Sequence, residues 1–187
     1  MTPLVITLIV VGALIVLAMF VIGIFNRIKR LQIGARGAWS DIDVQLKRRY
    51  DLIPNLVNTV KGYAGHEKGT LEAVIQARQQ AIDAKSIAEH AQAENMLTQT
   101  LGRLFALSEA YPELKANQNF LALQEELTST ENKIGFSRQH YNRSAGQYNE
   151  AIALFPNNVI AGMFSFQAMD FFEVQEAAQR EAPKVAF

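Results

Sequence analysis

The chain has 187 residues, a length that suits one compact domain. Its 18 basic and 18 acidic side chains give a formal charge of zero, so we expect no nucleic-acid partner. Cysteine is absent, which excludes disulfides, thiolate nucleophiles and Cys-ligated zinc. The charge is unevenly placed, because residues 1–50 carry seven basic against two acidic side chains, and residues 51–187 carry 11 against 16.

The N-terminal region is an uncharged apolar run of 22 residues, from Leu4 to Phe25, in which only Thr7 has a polar side chain. At about 1.5 Å per residue, such a run crosses a hydrocarbon core of about 30 Å. The alternative is a cleaved signal peptide, which needs a basic start and a shorter apolar run of about 7–15 residues. Residues 1–3 hold no basic side chain. We therefore predict a short tail over residues 1–3 and a retained transmembrane helix over residues 4–25.

A basic cluster of Arg27, Lys29 and Arg30 follows the apolar run directly, at the start of a predicted juxtamembrane stalk over residues 26–38. Positively charged flanks stay in the cytoplasm, since their translocation is disfavoured. The sequence thus predicts a single-pass protein of the cell inner membrane, with the N-terminus outside and the soluble domain cytoplasmic. The opposite topology is the alternative, because the positive charge of the N-terminal amine competes with the basic cluster for the cytoplasmic side.

Beyond the stalk, apolar residues recur every three or four positions, the spacing of one helix face. They are Trp39, Ile42, Leu46, Tyr50, Ile53, Val57, Val60 and Ala64. This stripe predicts a long helix to about Gly65, bent rather than stopped at Pro54. No turn signal stronger than Gly34 and Gly37 lies between the apolar run and Trp39, so the transmembrane helix can continue into this helix as a stalk.

Three further amphipathic helices are predicted after the glycine-rich segment 62–69. Thr70 is expected to cap the second, and a polar connection over residues 83–90 leads to the third, which ends near Pro112. The fourth runs from about residue 120 to residue 155. The apolar positions of the second helix are Leu71, Val74, Ile75, Ala81 and Ile82, and those of the third are Leu97, Leu101, Leu104 and Tyr111. Those of the fourth are Phe120, Leu123, Leu127, Ile134, Tyr141, Tyr148, Ile152 and Phe155. The predicted fold is all-α, with a transmembrane helix followed by an antiparallel bundle of long helices over residues 39–187.

The C-terminal segment is rich in phenylalanine, with six of the eleven in the last 33 residues and a short helical pattern from Gln167 to about Arg180. These rings either cap the open end of the bundle or form a docking surface for a partner or for lipid headgroups. The candidate interaction residues here are Phe164, Phe166, Phe171 and Phe172.

Two polar patterns are candidates for binding. Lys47, Arg48 and Arg49 could bind acidic lipid or an acidic partner, or could form a solvated face paired with Asp43 or Asp51. Tyr141-Asn142 and Tyr148-Asn149 repeat at seven residues. They form either a binding groove or buried polar contacts that fix helix register.

No motif assembles catalytic chemistry. His66-Glu67 resembles the start of a zinc-binding H-E-x-x-H, but the second histidine position is Thr70. Phosphate-binding glycine loops and Ser/His/Asp sets are absent from the sequence. We predict a protein that is not an enzyme, with no catalytic residues, cofactor or metal. A hydrolase that uses unrecognised carboxylates is the remaining enzymatic alternative.

Residues 38–57, which read AWSDIDVQLKRRYDLIPNLV, resemble the hallmark segment of the bacterial LemA family. Shorter stretches agree with it along the chain: YAGHE at 63–67, YPELKAN at 111–117, LQEEL at 123–127, TENKI at 130–134, YN at 141–142, FP at 155–156 and PKVAF at 183–187. The resemblance implies a membrane-anchored helical bundle with no catalytic residues. It also implies links to membrane organelles such as magnetosomes in some relatives, and to membrane quality-control proteases in others.

The positions that the resemblance marks read equally well as the framework of the bundle: Trp39, Asp41, Asp43, Arg48, Arg49, Tyr50, Pro54, Asn55, Glu131, Asn132, Tyr141 and Asn142. The first functional hypothesis is a scaffold that self-associates and organises membrane or membrane-protein partners. The second is a regulatory adaptor for another membrane protein, such as a quality-control protease. We expect the partners to be the lipid bilayer, further copies of the chain and a membrane protein.

Overall fold

The computed structural model describes residues 2–173, which form six α-helices joined by short turns and contain no β-strand. The helices are α1 (Pro3–Lys61), α2 (Lys68–Asp83), α3 (Ile87–Leu107), α4 (Pro112–Lys115), α5 (Gln118–Ala153) and α6 (Asn157–Met163), with a 3₁₀ turn at Ser108–Ala110. The all-α prediction is confirmed.

Helix α1 joins the apolar run to the first helix of the folded part without a break. It passes through Pro54, as predicted, and ends at Lys61, four residues before the predicted end. Its predicted apolar stripe is buried, with Ile42, Ile53 and Val60 fully inaccessible to solvent. The three-to-four spacing therefore identifies the inward face of this helix correctly.

Helix α2 begins earlier than predicted. Thr70 lies inside the helix rather than at its cap, because the Leu71 amide already donates to the Glu67 carbonyl oxygen at 3.2 Å. The buried face consists of Leu71, Val74, Ala77 and Ala81. Ile75 and Ile82, which we expected on that face, are exposed since each follows a buried position by one residue and points about 100° away from it.

Helix α3 begins within the stretch that the sequence predicted to be a polar connection. Only residues 84–86 separate it from α2, because Ser86 and Glu89 form a capping box. The Glu89 amide donates to Ser86 Oγ and the Ser86 amide donates to Glu89 Oε2, both at 3.2 Å. These two bonds satisfy backbone donors that the first helical turn leaves without partners. Helix α3 ends at Leu107, before the predicted limit near Pro112.

Replacing Ser86 by alanine is expected to lower the free energy of unfolding by about 1 kcal/mol, because the Glu89 amide loses its acceptor. Chemical denaturation in mild detergent, followed by far-UV circular dichroism, measures the change. Ser144→Ala is the matched control, since the Ser144 hydroxyl bonds to the His140 carbonyl oxygen within α5 and caps no helix. Equal effects of the two substitutions would contradict the capping role.

The chain divides into two compact units, and α1 and α5 contribute to both. Within the described residues, unit 1 comprises residues 2–40 and 140–169, and unit 2 comprises residues 41–139 and 170–173. Unit 1 is built from the first part of α1, the end of α5 and α6. Unit 2 contains the rest of α1 and α5 with α2, α3 and α4.

Candidate functional site

The end of the apolar run is a packed part of unit 1. Ile24 and Ile28 of α1 are buried in one cluster with Tyr148 of α5 and with Ile160 and Ala161 of α6. Partly buried side chains surround the cluster: Val21, Phe25, Leu31, Ile152, Phe166 and Met169. The last turns of the predicted transmembrane segment therefore belong to a folded core.

Several of the predicted site residues meet at this place. The Phe25 ring lies 4.8 Å from that of Phe164 and 5.6 Å from that of Phe166, between centroids. Lys29 Nζ lies 5.8 Å from the centre of the Phe166 ring, within cation–π range. Leu4 at the other end of the run is exposed. The structure thus joins Phe25, Lys29, Phe164 and Phe166 into one membrane-proximal cluster.

The helix predicted from Gln167 does not form in the described residues, since residues 166–173 have no helical backbone. Side chains of α5 hold this segment instead. The Tyr148 hydroxyl donates to the Gln167 carbonyl oxygen, and the Asn149 side chain both donates to and accepts from the Met169 backbone, each bond at 2.8 Å. Residues 174–180 and Phe187 lie outside the described residues.

The predicted tyrosine repeat supplies internal contacts of unit 1. Tyr141 is buried and its ring meets Trp39 edge-on at 5.3 Å. Tyr148 is buried seven residues later, where its hydroxyl also accepts a 3.4 Å hydrogen bond from Gln32 Nε2. Burial raises the pKa of Tyr148 and keeps the hydroxyl protonated for Gln167. These contacts support the interpretation that the repeat fixes helix register.

Unit 2 contains a buried ionic cluster around Arg49, which is only 3% exposed. Arg49 Nη1 lies 2.7 Å from Glu94 Oε2 and 2.8 Å from Glu131 Oε2. Its Nη2 donates to Thr98 Oγ1 at 2.8 Å. The contact with Glu131 is an ion pair without aligned hydrogen-bond geometry. The guanidinium group thereby connects α1 to α3 and α5.

Tyr50 extends the cluster to α2. Its hydroxyl is hydrogen-bonded to the Glu94 carboxylate and lies 3.3 Å from the Ala81 carbonyl oxygen, while Arg78 Nε donates to the Tyr50 carbonyl oxygen at 2.8 Å. Burial, followed by the charge of Glu94, raises the pKa of Tyr50, so its hydroxyl stays a proton donor. Burial also raises the pKa of Glu94, although Arg49 opposes the shift.

This shift predicts a pH dependence of stability. An acid whose pKa is higher in the folded than in the unfolded state binds its proton more tightly when the protein is folded. The protein therefore loses stability as the pH rises above 4.5, the ordinary pKa of a glutamate. Glu94→Gln removes this contribution. The unfolding free energy of the wild type minus that of Glu94→Gln should therefore fall as the pH rises from 4.5 towards neutrality. A difference in unfolding free energy that stays constant or increases with pH would show that burial does not raise the pKa of Glu94.

The run Lys47, Arg48 and Arg49 does not form one basic surface. Lys47 pairs with Asp51 at 2.8 Å in solvent, Arg48 pairs with Glu126 of α5, and Arg49 is buried. Successive helix positions diverge by about 100°, so the three cations point to different surroundings. The expectation that Arg49 belongs to an interaction surface is therefore wrong.

The sequence analysis missed Glu94, although a signal for it exists. Glu94 lies between Ala91 and Leu97, which are both buried on the inward face of α3 at three-residue spacing. A carboxylate on an apolar stripe needs a buried partner, because an isolated buried charge is costly. Pairing Glu94 with a basic residue on the stripe side of α1 would have identified Arg49.

Two of the phenylalanines predicted as interaction residues lie in unit 2, where Phe171 is 43% exposed and Phe172 is buried. Phe172 therefore belongs to the interior rather than to a docking surface. Within residues 2–173, no group of three or more His, Asp or Glu side chains is placed to hold a metal ion. The absence of an enzymatic activity and of a cofactor stays a prediction.

Helix α1 is the one helix of the described chain that is long and apolar enough to cross a membrane, and none of its apolar window is buried. This exposure distinguishes it from the core helix of a globular domain. The sequence model of the LemA family matches residues 38–187. Magnetosome protein MamQ of Magnetospirillum gryphiswaldense is 23% identical over 179 residues, which cover 82% of this chain and 66% of MamQ.

Protein LemA of Metamycoplasma hominis is 26% identical over 159 residues, which cover 83% of this chain and 71% of that protein. Magnetosome protein MamQ 2 of Paramagnetospirillum magneticum is 31% identical over 77 residues, or 41% of this chain and 28% of MamQ 2. The chain thus spans about two thirds of the length of the MamQ protein of M. gryphiswaldense. The exposed apolar helix indicates that the chain is membrane-anchored, and the match over residues 38–187 shows that it belongs to the LemA family.

Proposed function

We propose that the protein is a scaffold that self-associates at the inner face of the cell membrane and organises membrane or membrane-protein partners. The observation that carries this proposal is the structure of α1. Its apolar run is exposed from residue 4 to residue 20, yet Ile24 at the end of the run and Ile28 just beyond it belong to the core of unit 1. An anchor that shares a core with the folded part holds that part close to the bilayer, with a restricted orientation.

The relatives support a role in membrane organisation. The name of MamQ assigns that protein to the magnetosome. By extension, we propose that this chain also acts in an assembly at a membrane. The exposed basic residues Arg27, Lys29 and Arg30 favour a cytoplasmic position for that assembly by the positive-inside rule.

Unit 2 offers surface for self-association. On α5, Leu121 is 47% exposed and Phe136 is 71% exposed. Both lie on the helix face that also presents Glu125, Thr128 and Asn132 to solvent. Apolar side chains beside polar groups of this kind are typical of protein interfaces. This face supports contacts between copies or with another membrane protein.

The mass of the intact protein in mild detergent, measured by light scattering, tests the proposal. We expect a defined assembly whose protein mass is a multiple of the 20.8 kDa chain. Phe136→Ser together with Leu121→Ser should shift the assembly towards smaller species, whereas Val44→Ser, at an equally exposed position of α1, is the control. A monomer that forms a stable one-to-one complex with another membrane protein would instead establish the adaptor function.

The shared core also predicts where a soluble fragment can begin. A fragment that starts at residue 31 lacks Ile24 and Ile28, so Tyr148, Ile160 and Ala161 lose their buried partners. We expect it to melt at a lower temperature and to expose more apolar surface to a fluorescent dye than a fragment that starts at residue 20. Differential scanning calorimetry compares the two fragments. Equal melting temperatures would show that the end of the apolar run adds nothing to unit 1.

A further inference from the structure

The corner between α5 and α6 carries an apolar patch that the preceding function does not use. Five large side chains in unit 1 are exposed there: Leu154 at 55%, Phe155 at 81%, Val159 at 52%, Met163 at 71% and Phe164 at 51%. We call these five residues the corner patch. No charged side chain occurs between Glu150 and Asp170. Large exposed apolar side chains grouped at one corner of a fold mark a contact with another molecule or with a membrane.

The helix register in unit 1 shows where the patch lies along α1. Trp39 contacts Tyr141, and Gln32 contacts Tyr148, so α1 and α5 run antiparallel and advance by seven residues together. Helix α5 ends at Ala153, five residues after Tyr148, so the corner that follows it is near the residues of α1 that precede Gln32. Ile28 and Ile152 share the buried cluster, in agreement with this register.

Direct contacts place Phe164 and helix α6 beside the end of the apolar run. Phe164 packs on the Phe25 ring, and Val21, within the apolar run, packs against the cluster that contains Ile160 of α6. Where the apolar run is in lipid, its last turns lie at the boundary between acyl chains and headgroups. The corner patch is therefore beside α1 at this boundary, with Lys29 of the adjoining basic cluster over Phe166.

We propose that the corner patch inserts into the interfacial layer of the leaflet from which α1 emerges, and so forms a second contact with the bilayer. The occupant of the patch is lipid, because the patch adjoins the membrane-spanning segment and is flanked by the basic residues that suit anionic headgroups. Short apolar elements of this kind lie about 5–10 Å deep in the interface. This inference rests on the proposed membrane anchor.

The absence of cysteine makes a depth measurement direct, since each introduced cysteine is unique. Full-length Phe155→Cys and Met163→Cys variants carry an environment-sensitive fluorophore and are reconstituted in vesicles of phosphatidylcholine and phosphatidylglycerol. Some of the lipid bears a nitroxide quencher near the top of the acyl chain. Ile22→Cys is the control at the end of the apolar run, where it is 57% exposed, and Arg143→Cys is the exposed control on α5.

We expect the labels at positions 155 and 163 to lose a fraction of fluorescence similar to that lost by the label at position 22, while the label at position 143 loses little. If the corner labels are quenched by iodide from water while the position 22 label is quenched by lipid, the inference is overturned and the anchor stands. Corner labels that neither quencher reaches would show that protein covers the patch, which also overturns it. A position 22 label that lipid does not quench would overturn the anchor, and the inference with it.

Discussion

Leu46→Asp is expected to unfold unit 2. Leu46 is 1% exposed on the inward stripe of α1, so the new carboxylate would be buried in an apolar environment without a cation. Loss of the leucine packing alone costs about 2–5 kcal/mol, and the buried charge or its protonation adds to this. The sum is comparable with the whole stability of a domain, about 5–15 kcal/mol. Amide hydrogen exchange of the detergent-solubilised protein measures the loss within unit 2.

Val44→Asp is the matched control for this substitution. Val44 is on the same helix, two residues earlier, and is 64% exposed. The same new charge in solvent is expected to change stability by no more than about 0.5 kcal/mol. Tyr141→Asp applies the same argument to unit 1, where Tyr141 is 1% exposed. Native exchange protection in Leu46→Asp would contradict the assignment of the stripe.

Arg49→Met is expected to lower the free energy of unfolding by about 3–5 kcal/mol, because it leaves the buried Glu94 without its cation. The methionine fills much of the arginine volume, so the effect reports the lost ion pair and hydrogen bonds rather than a cavity. Arg49→Lys should recover only part of the loss, since an ammonium group cannot bond to Glu94, Glu131 and Thr98 in the geometry of the guanidinium group. Denaturant titration in mild detergent measures both variants.

Lys47→Met provides the comparison for Arg49→Met, with the same change of chemistry two residues away. Lys47 and Asp51 form an exposed pair, with side chains 76% and 59% accessible, and such pairs contribute less than about 1 kcal/mol. If the two methionine variants were equally stable, the Arg49 cluster would not hold the helices of unit 2 together.

Local patterns were sufficient for the four long helices and for most of their inward faces, with Ile75, Ile82 and Phe155 as the exposed exceptions. The apolar run is visible in the sequence as an unbroken series of uncharged residues from 4 to 25. The stripe is visible because helical spacing repeats every 3.6 residues, as at Ile42, Leu46 and Ile53. The helix boundaries were less accurate. Thr70 was taken for a cap and the capping box at Ser86 and Glu89 was missed, since several polar residues compete for each helix start.

The charged and aromatic residues required the tertiary structure. The sequence placed Arg49 in a solvated basic run, whereas the fold buries it beside Glu94, 45 residues away. The helix predicted from Gln167 is absent within the described residues, where Tyr148 and Asn149 of α5 bond to the backbone of Gln167 and Met169 instead. The place of Glu94 on the apolar stripe of α3 is a periodic signal, but its pairing with Arg49 and the contacts of the segment after α6 depend on which elements meet in space.

The sequence by itself determined that the chain is helical, that its first helix has an apolar segment long enough to cross a bilayer, and most of the buried positions of the later helices. Hydrophobic periodicity is a local property, so one chain suffices to show it. Only the tertiary structure showed that Ile24 and Ile28 share a core with α6 and that Phe164 packs on Phe25. These contacts join positions more than 100 residues apart, and their energies depend on packing and desolvation that no local pattern encodes.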